Sequence, residues 1–240
     1  MSSRKEQKEQ LRREREEREA TERAAGRRKR LVGYAAGAAV VILALAVADF
    51  LLASGGDDEG GGSSDTAADV LPDGGEVPDQ EITDLDEAAK AASCELKSFK
   101  ADSREHITDI NETVDYASDP PTSGRHFQTP AEDGAYEEAP DVKTLVHSLE
   151  HGRVIIWFKP NLPEQQRADL KALFDEDEYQ LLLTPDDTMP YQVATTAWNR
   201  EPEPNGTGRL LGCNTFDDKV FDAIRAFKDE HRSNGPEPVP

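Results

Sequence analysis

The chain has 240 residues, with 49 Asp and Glu against 28 Lys and Arg, for a formal net charge of −21. Acidity on that scale repels phosphate backbones and excludes nucleic acid as a partner of the folded part. There are two cysteines, and no C-x-x-C spacing, which excludes a zinc knuckle and a thioredoxin-type pair.

The charge is unevenly spread. Residues 1–30 hold 12 Lys and Arg against 7 Asp and Glu and end in the basic run Arg27-Arg28-Lys29-Arg30. Glu–Arg pairs recur there at helical spacing, with too few apolar residues for a coiled-coil seam. The expectation is a solvated cytoplasmic tail whose basic end meets anionic lipid headgroups. Residues 31–52, LVGYAAGAAVVILALAVADFLL, carry a single charge, Asp49. About 20 apolar residues span a bilayer core as a helix, so this run predicts one transmembrane helix. The basic cluster before it places the N-terminus in the cytoplasm and the rest outside. Ala46-Val47-Ala48 has the form of a signal-peptide cleavage site, but the long charged region ahead of it argues for an uncleaved anchor. Residues 53–80 are rich in Gly, Ser and Asp and read as a disordered acidic linker.

Residues 82–240 have the length of one ordinary domain. Residues 85–96 have helical composition and include Cys94. Residues 129–140 read as a loop. Residues 153–159, RVIIWFK, are β-branched and aromatic between Gly152 and Pro160, which predicts a buried strand. A helix follows from Pro163, with Leu170, Leu173 and Phe174 on one face. Strands are expected at 179–183 and 193–198, a loop at 201–208, and a last helix at 216–232. That helix would turn Val220, Phe221, Ile224 and Phe227 inward, and a Pro-rich tail ends the chain. This order predicts an α+β fold: one compact extracytoplasmic domain with a small sheet packed by helices. Cys94 and Cys213 both fall in that domain, where disulfides persist, and are expected to pair.

Two clusters could carry chemistry. One is Pro120-Pro121-Thr122-Ser123-Gly124-Arg125-His126, the other Leu145-Val146-His147-Ser148-Leu149-Glu150-His151-Gly152. His147 and His151 are four apart, so a helical turn puts both imidazoles on one face, as metal binding requires. Glu150 between them is a candidate ligand, base or supporting partner, and His126 a further nitrogen donor. Met189 is a candidate soft ligand that would favour Cu(I), whereas Glu150 in the coordination sphere favours zinc or Cu(II). Tyr136 and Tyr191 are candidates for lining the same cleft. The competing reading is a purely structural polar corner. His147–His151 also fits the H-x-x-E-H pattern of inverzincin proteases, but Gly152 and the strand after it leave no room for their long helix. Neither Ser123 nor Ser148 lies in a G-x-S-x-G elbow, and no P-loop or dinucleotide fingerprint is present.

PPTSGRHF, LVHSLEHGRVIIWFKP, LLLTPDDTMP, ATTAWNR, and a Cys before a last helix ending in GPE occur in this order. Together they resemble the domain of unknown function 3105 family over residues 92–238. Matching positions are Pro120, Pro121, Ser123, Gly124, His126, His147, Glu150, His151, Gly152 and Met189-Pro190. Arg125 departs from the proline or other small residue the resemblance leads one to expect. The resemblance implies an acidic domain behind one N-terminal anchor and carries no activity. The leading expectation is a membrane-tethered extracytoplasmic domain binding copper or zinc through His126, His147, His151, Glu150 and Met189, with the lipid bilayer as partner. The alternatives are a structural or interaction module engaging an envelope protein, and a hydrolase using Glu150 or His151.

Overall fold

The computed structural model describes residues 71–237 and 239. These belong to one unit, Thr66–Pro240. The tail, the apolar run at 31–52 and most of the linker lie outside the described residues. Among the described residues, no helix is long and apolar enough to cross a membrane.

The middle of the domain is set by strands that are apolar on both faces. β5 (Val154–Phe158), β6 (Leu181–Pro185) and β7 (Val193–Asn199) are buried almost end to end. Such strands are stable only when covered on both sides. They form the centre of a six-stranded mixed sheet in the order β1-β8-β7-β5-β6-β4, flanked by β1 (Cys94–Lys100), β8 (Thr207–Cys213) and the short β4 (Gly134–Ala135). β5 and β6 run parallel, joined through the helix Glu164–Glu176, as a parallel pair requires. The other long pairings are antiparallel.

Alternate strand residues divide the core in two. Val154, Ile156, Phe158, Leu181, Leu183, Val193 and Leu211 pack with α1 (Leu85–Ala91), α3 (Glu164–Glu176) and α4 (Lys219–His231). Ile155, Trp157, Leu182, Ala194, Trp198 and Leu210 pack on the opposite face with Leu145, Val146 and Leu149 of α2 (Val142–Glu150). A separate parallel ladder joins β2 (His106–Ile107) to β3 (His126–Phe127). The fold is therefore α+β, with a mixed sheet and four helices.

Three expectations are corrected. The sheet is not small, because β1 and β8 extend it. Cys94 is not helical: α1 ends at Ala91, Ser93 takes a left-handed conformation (φ 54°), and Cys94 opens β1. The segment 207–213 is a strand despite two glycines. A side chain at Gly208 would collide with Thr122, and one at Gly212 with the Tyr191 ring, so both glycines mark close approach within a strand. Residues 71–80, the described end of the stretch read as linker, hold no helix or strand but lie on the domain. Leu71 and Val77 pack on the core, the Glu76 amide donates to Asp169 at 2.9 Å, and Arg225 donates to the Pro78 carbonyl.

Cys94 and Cys213 are bonded, as expected, and are direct partners in the β1–β8 register. The bridge ties residues 119 apart in sequence. A Cys94→Ser/Cys213→Ser variant is expected to lose about 4–5 kcal/mol by the chain-entropy argument. Urea denaturation reads this as a lower midpoint, with a steeper slope because the uncrosslinked denatured chain exposes more surface. An unchanged midpoint would mean that the β1–β8 ladder suffices.

Candidate metal centre

The site is built on α2. Asp141 caps it by accepting from the Lys143 amide at 2.9 Å, and His151 terminates it. Gly152 follows at φ +86°, the left-handed conformation that commonly closes a helix. Leu145, Val146 and Leu149 bind the helix to the sheet. The remaining positions of the same turn are also covered, so His147, Ser148 and Glu150 are buried as well. Spacings of three and four residues bring His147, Glu150 and His151 to one face. The rings of His147 and His151 lie 4.4 Å apart, with their Nε2 atoms separated by 3.0 Å.

Against this face lies the β2–β3 ladder. Its register sets His106 directly opposite His126, with ring centroids 4.5 Å apart. Each of these two rings is 4.8 Å from His147. Ligating atoms of His106, His126, His147 and Glu150 all lie within 4.8 Å of one another, and the same holds for a second group, Glu150, His151 and Glu237. Four histidines and two glutamates thus meet at one corner of the domain.

Hydrogen bonding fixes which atoms face inward. A carbonyl can only accept, so Nδ1–H of His126 donates to Gly124 and Nδ1–H of His147 donates to Phe127, both at 2.7 Å. Each ring thereby presents Nε2 to the cluster. Metal-ligating imidazoles are typically oriented in this way, through the other nitrogen. Burial, together with the neighbouring His126, His151 and His106, holds His147 down at about 4, although the Phe127 bond opposes this. It is neutral near pH 7, so its Nε2 accepts and the His151 Nε2–H donates.

Glu150 is fully buried. Its Oε1 accepts from Nε of Arg104 at 2.7 Å, while Oε2 faces Nε2 of His126 at 3.0 Å and Nε2 of His106 at 3.6 Å. Burial alone would raise its pKa, but His126 and Arg104 outweigh burial and set it at about 2. The His126–Glu150 contact is short without hydrogen-bond alignment. Both His126 Nε2 and Glu150 Oε2 are buried with no hydrogen-bond partner. Orphaned groups of this kind require an explanation: a ring nitrogen and a carboxylate oxygen at 3.0 Å share either a proton, the state that holds the Glu150 pKa down, or a cation that takes the proton's place.

Of the residues singled out from sequence, His126, His147, Glu150 and His151 come together. Met189 is buried in the apolar cluster with Leu145 and Trp198, its amide donating to Asp186. Tyr136 donates to the Glu132 carbonyl, and the Tyr191 hydroxyl accepts from Lys97. Ser148 donates to the backbone carbonyls of Ala131 and Thr144, a structural role. Sequence reasoning missed His106, Arg104 and Glu237. His106 and Arg104 lie in no motif, Glu237 ends the GPE motif without having been read as a ligand, and only the rarity of histidine, five in the chain, pointed to His106. A cavity of about 710 Å³ lies toward the other end of α2, between Tyr116, Asp119, Val142 and Trp157, and no histidine lines it. It has aromatic and acidic walls but no converging donors, so the chemistry belongs to the histidine corner.

Residues 106–240 match the family described as "Protein of unknown function (DUF3105)", and the chain belongs to that family. The match begins at His106, the first histidine of the cluster. No curated protein and no solved structure matches the chain.

The metal-free domain should weaken toward acid in two stages. Between about pH 6.5 and 4, unfolded His147 and His231 take up protons that the folded rings refuse, so stability falls as pH drops. Between about pH 4.5 and 2, the unfolded chain protonates Glu150 while the folded carboxylate stays charged, and stability falls further. Urea midpoints measured from pH 7 to 2.5 should show both slopes. Glu150→Gln should flatten the lower stage and His147→Gln part of the upper one. A Glu150→Gln profile parallel to wild type would refute this assignment.

Proposed function

We propose that this protein is a membrane-tethered extracytoplasmic metal-binding domain, holding zinc or copper(II) through His106, His126, His147 and Glu150. The observation that carries the reading is the pair of facing buried donors, His126 Nε2 and Glu150 Oε2, both without a hydrogen-bond partner. Three imidazoles and one carboxylate, drawn from two strands and a helix, suit a borderline divalent ion. The group contains no sulfur, which favours copper(II) or zinc over copper(I). His106, with its side chain 40% exposed, is the outermost ligand and offers a path from solvent. Such an ion would join β2, β3 and α2, and no catalytic step is assigned to it.

Two features support the location. The run at 31–52 has the length and composition of a bilayer span behind a basic cluster. A disulfide between Cys94 and the buried Cys213 suits an oxidising compartment. A second reading, a structural module of the envelope, rests on the Arg104–Glu150 ion pair, which ties the β1–β2 connection to α2 without any metal.

Full-length protein purified without chelator should retain about one or more equivalents of zinc or copper, as expected of a buried four-ligand site. His126→Ala/His147→Ala should retain none while its far-ultraviolet circular dichroism is unchanged. Under the structural reading, wild type would hold no metal even after zinc or copper titration, and the variant would only melt at a lower temperature. A reporter enzyme active only outside the cytoplasm, fused after Gly62, should be active. An inactive fusion would overturn the topology.

A further inference from the structure

Glu150 belongs to both donor groups, and its two oxygens point to different neighbours. Oε2 faces His126 and His106. Oε1 is held by the guanidinium of Arg104, which also reaches Oε2 of Glu237 at 3.6 Å. Glu150, His151 and Glu237 place ligating atoms within 4.8 Å of one another. We infer that this second group is a second, weaker divalent-cation site, that Glu150 bridges the two ions, and that Arg104 is the cation displaced when the second ion binds.

The inference rests on the metal-binding reading above and on four further observations. First, the gap between Glu150 and Glu237 already holds a positive charge, the guanidinium, so its geometry and potential suit a cation. Second, Arg104 is replaceable. Its side chain is 31% exposed and it lies in the irregular segment between β1 and β2, so it can swing into water without unmaking a helix or strand. Third, His151 changes partner when the first ion binds. Its Nε2–H donates to Nε2 of His147, 3.0 Å away. An ion that claims His147 Nε2 removes that acceptor, leaving the His151 ring one residue from Glu150 and available as a ligand. Fourth, the chain's end is fixed here by its backbone. The Ser233 amide donates to Gly152 at 2.8 Å and the Glu237 amide to Glu150 at 3.0 Å. Gly235 lies so close to the Glu150 carbonyl and the Gly152 amide that any side chain would collide with both. Glu237 is thus delivered to the corner by main-chain bonds at the end of α2. Paired ions about 3.5–4 Å apart, sharing a carboxylate, are a recurrent arrangement in metal sites.

This arrangement makes a prediction of unusual sign: removing a positive residue that pairs with a ligand should strengthen metal binding. The full-length protein, stripped with chelator, is titrated with zinc against a competing chromophoric chelator. Wild type should take up about two equivalents, the second more weakly, because it competes with a charge-assisted hydrogen bond. Arg104→Gln should tighten the second step about tenfold or more, and the first, which shares Glu150, by less. His151→Ala and Glu237→Gln, both on partly or fully exposed side chains, should abolish the second step and keep the first. Melting temperatures of the stripped variants check that each is folded. One equivalent in wild type and all variants, or an Arg104→Gln that weakens both steps, overturns the second site and leaves the first standing. No zinc bound by folded wild type overturns the metal-binding reading itself.

Discussion

The corner of the domain depends on one buried carboxylate. Glu150 is charged, has no solvent contact, and sits between a guanidinium and two imidazoles. An isolated charge in that position would cost far more than any local packing could offset. Arg104 covers one oxygen with a strong bond, whereas the other meets nitrogen atoms at 3.0 and 3.6 Å without hydrogen-bond alignment. Burial of ion pairs rarely improves stability over an apolar replacement. An arrangement this polar and this enclosed is the basis of the metal-binding proposal.

The rest of the molecule positions that carboxylate. The sheet holds one face of α2 through Leu145, Val146 and Leu149. His126 is held from two sides, by its Nδ1–H bond to Gly124 and by the edge-on Trp198 ring at 5.8 Å. Arg125 bonds outward to Glu105 and Glu112, away from the turn before His126. The C-terminal segment supplies main-chain bonds to the last carbonyls of α2, which a helix end otherwise leaves unsatisfied. Backbone bonds thus hold His126, His147 and the C-terminal segment, while Arg104–Glu150 and His151–His147 add side-chain bonds within the corner.

The parts of this design legible in the sequence are those with a local period. The two-faced apolar run at 154–158, the amphipathic helices after Pro163 and before His231, and the four-residue spacing of His147 and His151 all follow from neighbours along the chain. β1 and β8 were not legible. CELKSFK lies at the sheet edge with mostly exposed side chains and needs no apolar alternation, and TGRLLGC contains glycines that only contacts distant in sequence explain. His106 was missed for the same reason. Its place in the cluster comes from a two-residue parallel ladder to a strand twenty positions away, and no rule of spacing encodes such a pairing. Glu237 follows a proline in a segment whose composition reads as irregular. The GPE motif marks the position, but its role arises from main-chain hydrogen bonds, Ser233 N–H to Gly152 and its own N–H to Glu150, that the motif does not announce.

The same distinction accounts for the separation between cavity and chemistry. The large cavity between Tyr116 and Trp157 has volume and apolar walls, but its carboxylates are already engaged or turned to water: Asp186 accepts from Thr188 and Met189, and Asp119 is exposed. At the histidine corner there is little volume, and donors converge there instead. A ligand that needs several directional donors and almost no space is an ion. The tautomers fixed at His126 and His147 point their lone pairs inward before any ion arrives, so the ordering cost of assembling those two ligands is met by folding. The more exposed candidates, His106, His151 and Glu237, lie on the outer side, where an ion entering from solvent would meet them first.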